Sequence, residues 1–281
     1  MSKNYRAELT GCFGCPIDEN PTGVLMEAGY AAKNLNYRYL TIRLEDGQLE
    51  TAMKAVRIFG MRGVNLTIPH KVKVLPYLDE LSPAAEIIGA VNTVIVRDRK
   101  LIGENTDGKG FVRSLADSGI SPAQKNVAIL GAGGAARAIA VECALAGASE
   151  ITIINRTPAR GEELARLVGE KTAARARFLP WTDAMAIPEN TDILVQATNI
   201  GLFPDASLPD INYDSIHPGM TATDVVFNPP MTGFLEKAAA RGAGIITGLG
   251  MLVNQGALNF ELWTGEKAPY EIMYEALKKE F

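Results

Sequence analysis

The segment at residues 127–160, VAILGAGGAARAIAVECALAGASEITIINRTPAR, leaves this chain the fewest ways to fold. Val127, Ala128, Ile129 and Leu130 form a short apolar run that reads as a buried strand. Gly131-Ala132-Gly133-Gly134-Ala135-Ala136 follows, a G-x-G-x-x-A turn of the dinucleotide-binding kind. Gly131 allows the chain to turn sharply, Gly133 lets backbone approach a pyrophosphate, and Ala136 keeps the next helix close to the sheet. That helix, expected over 135–146 with Gly134 and Ala135 at its mouth, turns its free N–H groups and positive dipole end toward the phosphate. Gly147 stops it, and 150–154 forms the second strand.

The end of that second strand selects the cofactor. A site for NAD usually carries an acid there, to bind the ribose 2′-hydroxyl. This chain has Asn155, Arg156, Thr157 and Arg160, with no acid before Glu162. Arginine grips phosphate bidentately and a carboxylate would repel it, so the pattern predicts NADP. Asn155 and Thr157 are neutral hydrogen-bonding neighbours.

Strand and helix patterns alternate along both halves. In the first, strands are expected at 6–17, 37–44, 63–67, 90–97 and 100–105, the last two forming a hairpin through Asp98-Arg99. Helices are expected at 22–32, 48–59, 71–78 and 82–88, with 108–118 joining the halves. In the second, a helix at 161–167, strands at 177–179, 191–196, 220–226 and 244–247, a proline-punctuated loop at 204–218 and a helix at 232–241 follow. Two helices, 251–264 and 271–280, close the chain. The fold class is α/β, with a parallel doubly wound sheet over 127–247.

Composition narrows the partners. A net charge of −4 over 281 residues supplies no basic field for nucleic acid. No apolar run is long enough to span a bilayer, and MSKNYRAELTG lacks the apolar core of a signal peptide, so a cytoplasmic location is expected. A small-molecule substrate is expected, on a monomer or homodimer. Of 3 cysteines, Cys12 and Cys15 form a C-x-x-C, but Cys143, His70 and His217 are too scattered to complete a zinc site. Reduced thiols in or beside a strand are expected, and no metal.

Four segments follow strand ends and carry chemistry: Asn65 to Lys71, Gly89 to Thr93, Asn105 to Gly108, and Gly248 to Gln255. They group neutral hydrogen-bonders (Asn65, Thr67, Asn92, Asn105, Thr106, Gln255) with one lysine, Lys71, and one acid, Asp107. A polyhydroxylated ring needs many neutral donors and acceptors and one proton-transfer group, a role open to Lys71 and Asp107 as an ion-paired couple. Taken singly, Lys71 reads better as a solvated surface lysine and Asp107 as a turn residue before Gly108.

Together, GVNLTIPHK, IGAVNTVIV, IGENTDGKG, LGAGGAARA, INRTPAR and GLGMLVNQGALNFELWTG make the chain resemble the shikimate dehydrogenase family over nearly its whole length. The resemblance implies a substrate domain of residues 1–108 plus 251–281, an NADP domain of 109–250, and an active site in the cleft between them. It implies reversible hydride transfer between the nicotinamide and a ring carbon, with Lys71 passing the proton and Asp107 holding Lys71. It further implies that Thr67, Asn92 and Gln255 bind ring hydroxyls, that Thr198 and Asn199 lie near the middle of the cofactor, and that Gly248 and Met251 lie near the nicotinamide.

The chain departs from the family where a substrate carboxylate is received. The usual Gly-x-Pro-Ile-x-His-Ser-x-Ser-Pro is Gly14-Cys15-Pro16-Ile17-Asp18-Glu19-Asn20-Pro21-Thr22-Gly23, with Asn20 and Thr22 in the serine positions. The usual Tyr-Asn-Pro is Phe227-Asn228-Pro229. A missing hydroxyl at a buried anion costs about 1–3 kcal/mol each. Two substrate readings stand at this point: shikimate itself, or a quinate-like, amino-substituted or uncarboxylated ring alcohol. A non-catalytic NADP sensor is disfavoured by retention of Lys71 and Asp107, and a folate-type enzyme by the Asn-Thr-Asp-Gly block. Arg156→Ala is expected to weaken NADPH far more than NADH in a binding titration; equal losses would contradict the 2′-phosphate assignment.

Overall fold

The computed structural model describes residues 5–281; the first four residues of the stretch read above for a leader lie outside them. The chain divides into two compact units. One ends at Thr106 and resumes over Gln255–Glu280; the other is Asp107–Asn254, together with Phe281. The cuts fall near the 108/109 and 250/251 boundaries expected from the sequence, but inside helices.

The first unit contains β1 (Glu8–Gly14), α1 (Thr22–Ala32), β2 (Tyr37–Arg43), α2 (Leu49–Ile58), β3 (Gly63–Leu66), α3 (His70–Lys73), β4 (Glu80–Leu81), α4 (Pro83–Ile88), β5 (Thr93–Arg97) and β6 (Lys100–Glu104). Its six-stranded sheet runs β2-β1-β3-β5-β6-β4. β1 is parallel to β2 and β3, while β3-β5-β6 is antiparallel. The hairpin turns through Asp98 and Arg99, both at positive φ, as a two-residue turn matched to strand twist requires. Alternation sorts the strands: Phe13, Val64, Leu66 and Val94 enter one core with Met53 and Val56 of α2. Cys12 and Asn65, paired in register between β1 and β3, fall on the other face.

The second unit contains β7 (Asn126–Leu130), α6 (Gly134–Leu145), β8 (Glu150–Asn155), α7 (Pro158–Lys171), β9 (Arg175–Pro180), β10 (Met185–Ala186), β11 (Ile193–Gln196), β12 (Ile211–Asn212), β13 (Thr221–Asp224), α8 (Gly233–Ala240) and β14 (Gly244–Ile246). Its main sheet is parallel throughout, in the order β14-β13-β11-β7-β8-β9. The order reverses beside β7, the switch point where doubly wound sheets bind ligands. β10 and β12 pair separately. α5 (Thr106–Asp117) and α9 (Gly248–Thr264) carry the chain across the division, and α10 (Tyr270–Lys278) closes it.

Three expectations change. The helix expected at 71–78 is only the four residues of α3 followed by a tight turn at Leu75–Tyr77. Pro76 has no N–H to continue the helix, and its ring crowds the carbonyl four residues back. β4 and β12 are each two residues long, too short to show periodicity, and are made by pairing alone. The helix expected at 251–264 starts at Gly248, because tertiary packing overrides the low helix propensity of Gly248 and Gly250.

On the second face of the first sheet, Tyr30 of α1 stacks on Phe260 of α9 with ring centres 5.5 Å apart. Trp263 Nε1 donates to Val94 O at 3.1 Å. A Cβ added at Gly63 would lie 2.1 Å from that Nε1 and 2.2 Å from that carbonyl. Gly63→Ala is therefore expected to destabilise the first unit by more than about 2 kcal/mol, read from urea unfolding followed by Trp263 emission.

Candidate active site

In the second unit the glycine turn has the geometry the sequence implies. Gly131 sits at φ 112°, in the region where a side chain is strained, and a Cβ there would be 3.0 Å from both Ala197 O and Thr198 Cγ2. A Cβ at Gly133 or Gly134 would meet nothing within 4 Å, so the space above the turn is open. Gly133 caps α6, whose first residues are Gly134 and Ala135. A cavity of about 310 Å³ over this turn is lined by Gly133, Gly134, Arg137, Arg160 and Glu163 among others. Open backbone at a helix N-terminus beside guanidinium groups fits a dinucleotide phosphate.

The expected arginine pair is divided. Arg160 lines that cavity, whereas the Arg156 guanidinium lies over the Trp181 ring, 5.7 Å from its centre, and lines a neighbouring cavity of about 280 Å³. Asn155 Nδ2 donates to Thr157 O at 2.9 Å, shaping the turn, and Thr157 stands at the N-cap of α7 without side-chain capping. Thr198 donates from both N (2.6 Å) and Oγ1 (2.7 Å) to Gln196 Oε1, while Asn199 is exposed. Gln196 in turn donates to Asp224 Oδ1 at 3.3 Å, and the same carboxylate accepts from Val226 N and from Thr232 Oγ1. Asp224 thus ties the loop after β11 to the loop after β13. Gly248 and Met251 lie on the first turn of α9, with Gly248 against Val226 O.

In the first unit, Asn20 and Thr22 lie at the start of α1. Asn20 Oδ1 accepts from Thr22 N at 3.0 Å, and Nδ2 donates to Cys12 Sγ at 3.8 Å. The Tyr39 hydroxyl donates to Asn65 Oδ1 at 2.9 Å. Burial drives the Tyr39 phenol well above its ordinary pKa. Burial also pushes the Cys12 thiol up to about 12, opposed chiefly by the positive charge of Lys71. Lys71 sits on α3, half-buried, its carbonyl accepting from Val91 N at 2.8 Å. Thr67 follows β3, its Cγ2 packed on Gly14. Asn92 is buried in a polar floor with Thr93, Thr106 and Asn259. Gln255 Oε1 accepts from Asn259 Nδ2 at 3.2 Å. Asp107 stands in the first turn of α5, in the second unit.

Residues 12–94 match the shikimate dehydrogenase substrate binding domain, 114–202 match shikimate / quinate 5-dehydrogenase, and 248–278 match the shikimate 5′-dehydrogenase C-terminal domain. A shikimate dehydrogenase (NADP(+)) of Desulforamulus reducens is 41% identical over 281 residues, spanning 99% of this chain and 97% of that one. The chain belongs to the shikimate dehydrogenase family. Among solved members of the same fold, a ligand-free 5-ketofructose reductase of Gluconobacter sp. is 45% identical, with TM-score 0.96 over 99% of this chain and 100% of that one. A shikimate 5-dehydrogenase of Thermus thermophilus, solved with NADP(H) and shikimate, is 35% identical, with TM-score 0.87 over 98% and 100%.

Against the family pattern, the altered positions are occupied in a definite way. Asn20 spends its amide at both ends, Thr22 is buried, and Phe227 packs its ring 5.2 Å from Phe281. Asp18 and Glu19 are exposed. Cys12, Cys15 and Cys143 are free thiols, and Cys15 donates to Glu45. Sequence reading missed Tyr39, Arg137, Glu163 and Trp181. Spacing marks two of them: Arg137 lies one helical turn beyond Gly133, and Glu163 lies three residues beyond Arg160. Nothing in sequence marks Trp181, which reaches Arg156 only through the folding of β9.

Burial holds the Asp224 carboxyl up at about 6, against an ordinary value of 3.8, although its hydrogen bonds oppose the shift. The folded chain binds this proton more tightly than the unfolded chain. The resulting stabilisation is complete below pH 3.8 and is lost as pH rises to about 6. It amounts to about 3 kcal/mol at most. Thermal unfolding across that window is expected to show the loss, and Asp224→Asn is expected to flatten it.

Proposed function

We propose that this chain is an NADP-dependent oxidoreductase that interconverts a ketone and a secondary alcohol on a polyhydroxylated, uncarboxylated substrate. Bound NADPH supplies the hydride, and NADP⁺ accepts it in the reverse direction. Lys71 holds and passes the proton at the substrate oxygen that gains or loses it. Asp107, Thr67, Asn92 and Gln255 bind neighbouring hydroxyls, and the floor that fixes Asn92 and Gln255 orients the reacting carbon. Gly131, Gly133, Gly134 and Arg160 receive the cofactor phosphates, and Arg156 flanks them.

One observation carries the substrate class. The amide of Asn20, which with Thr22 replaces the family's serine pair, is committed to Cys12 and to backbone, and Thr22 is buried. A carboxylate arriving there would lose its water without gaining charge-assisted donors, which costs several kcal/mol. Hydroxyl groups both donate and accept, so they match a wall of thiol, phenol and amide. The likeness to a 5-ketofructose reductase supports this reading. A second reading, shikimate as substrate, is supported by the curated relatives near 40% identity.

Steady-state assays with 5-ketofructose, shikimate and quinate separate the two. The uncarboxylated ketone is expected to exceed shikimate in kcat/KM by about 100-fold, the worth of two lost donors at an anion. Shikimate turnover at parity would overturn the reading. Asn20→Ser with Thr22→Ser is expected to recover shikimate oxidation, and Lys71→Ala to lower kcat by about 100-fold or more.

A further inference from the structure

Arg137 and Glu163 face the cavity over the glycine turn, and neither belongs to the turn nor to the strand-end motif that selects NADP. Arg137 Nη1 lies 3.0 Å from Glu163 Oε1, bridging α6 to α7. Its side chain is 30% exposed, against 56% for Glu163. The arginine is thus the better enclosed partner, and the carboxylate the one that can swing into water. Arg160, one turn before Glu163 on α7, lines the same cavity.

The cavity therefore holds two guanidinium groups and one carboxylate around open backbone N–H groups. A phosphate is a stronger partner for guanidinium than a carboxylate, because it offers more acceptor oxygens and up to two charges. A solvent-exposed ion pair contributes little to stability, so little is lost when Arg137 exchanges Glu163 for phosphate.

We propose that Arg137 is a third phosphate-binding cation of this cofactor site and that Glu163 is its displaceable counter-ion. The pair sets how strongly the 2′-phosphorylated dinucleotide is preferred. Glu163 holds Arg137 in place over the turn. It also weakens the site, because its charge opposes the incoming phosphate. This rests on the NADP reading above and adds to it a determinant outside the Asn155–Arg160 segment.

A purely structural bridge between α6 and α7 would lose its contribution from either side, so removing either partner would act in one direction. The electrostatic role gives opposite signs. The test is calorimetric binding of 2′,5′-ADP and 5′-AMP to the full chain, with Arg137→Ala, Arg137→Lys and Glu163→Gln. Arg137→Ala is expected to weaken 2′,5′-ADP about tenfold and to leave 5′-AMP within about twofold, with Arg137→Lys in between. Glu163→Gln is expected to strengthen 2′,5′-ADP about threefold, and both shifts shrink in high salt. Shifts of the same sign for Arg137→Ala and Glu163→Gln, or equal shifts for the two ligands, overturn the proposal. If the unaltered chain binds 2′,5′-ADP no better than 5′-AMP, the NADP reading falls with it. If the unaltered chain discriminates but the variants do not split in sign, only the role of this pair falls.

Discussion

Two hydroxyl protons and two amide oxygens decide how the first unit is closed. Thr93 and Thr106 lie 3.0 Å apart, each within reach of Asn92 Oδ1 and of Asn259 Oδ1. Each hydroxyl has one proton and each oxygen needs one, so the set closes on itself with Asn65 and Asn92 amides donating back to the hydroxyls. All four residues are buried, so any member removed leaves its partners unsatisfied at about 1–3 kcal/mol each. The network joins β5, the first turn of α5 and α9. It sits where the chain leaves the unit at Thr106 and where it returns at Gln255. Asn92 and Gln255, proposed to touch substrate, belong to it or hang directly from it, so the same bonds that close the fold fix the site.

The second unit relies on a smaller version of the same device. Gln196 is fully buried at the end of β11 and Asp224 at the end of β13. Between them they hold the loops that carry Thr198 and Phe227. Here one member carries charge, so this unit's stability is linked to pH and the first network's is not. In both units, residues a motif search assigns to ligand binding are partly spent on positioning the backbone. Thr198 is the plainest case, since its N–H and hydroxyl both go to Gln196.

That division of labour fits the proposed roles, in which Lys71 passes the proton while the substrate end of the site is altered. Thr67 follows β3, Asn92 lies in the buried floor, and Lys71 stands on α3 with its carbonyl bonded to Val91 N, so register and backbone hydrogen bonds leave little latitude. Asn20 and Thr22 sit at the mouth of α1, where a polar side chain is needed to shape the turn but several types serve. Asn20 meets that need by accepting from Thr22 N. On the proposed reading, the replacement satisfies the helix start and leaves a carboxylate without its serine donors, so specificity shifts without a cost to the fold.

Much of the fold is legible in the sequence. Apolar runs, glycine turns and helical spacing gave the parallel sheet, the dinucleotide turn and the hairpin at Asp98-Arg99, because each depends on neighbours within a few residues. Lys71, Asp107 and the neutral hydrogen-bonders were legible through motifs, and so was the departure at Asn20, Thr22 and Phe227. The helix expected through Pro76, the two-residue strands β4 and β12 and the start of α9 were misjudged or missed where pairing and packing outweighed local preference. The sequence alone therefore determined the class of fold, the cofactor type and the inventory of reactive side chains. Only the tertiary structure decided which of those side chains were already spent. It set Arg156 on Trp181, Arg137 on Glu163, and the Asn20 amide on Cys12, because a hydrogen bond or ion pair is made in space between residues that the chain order keeps apart.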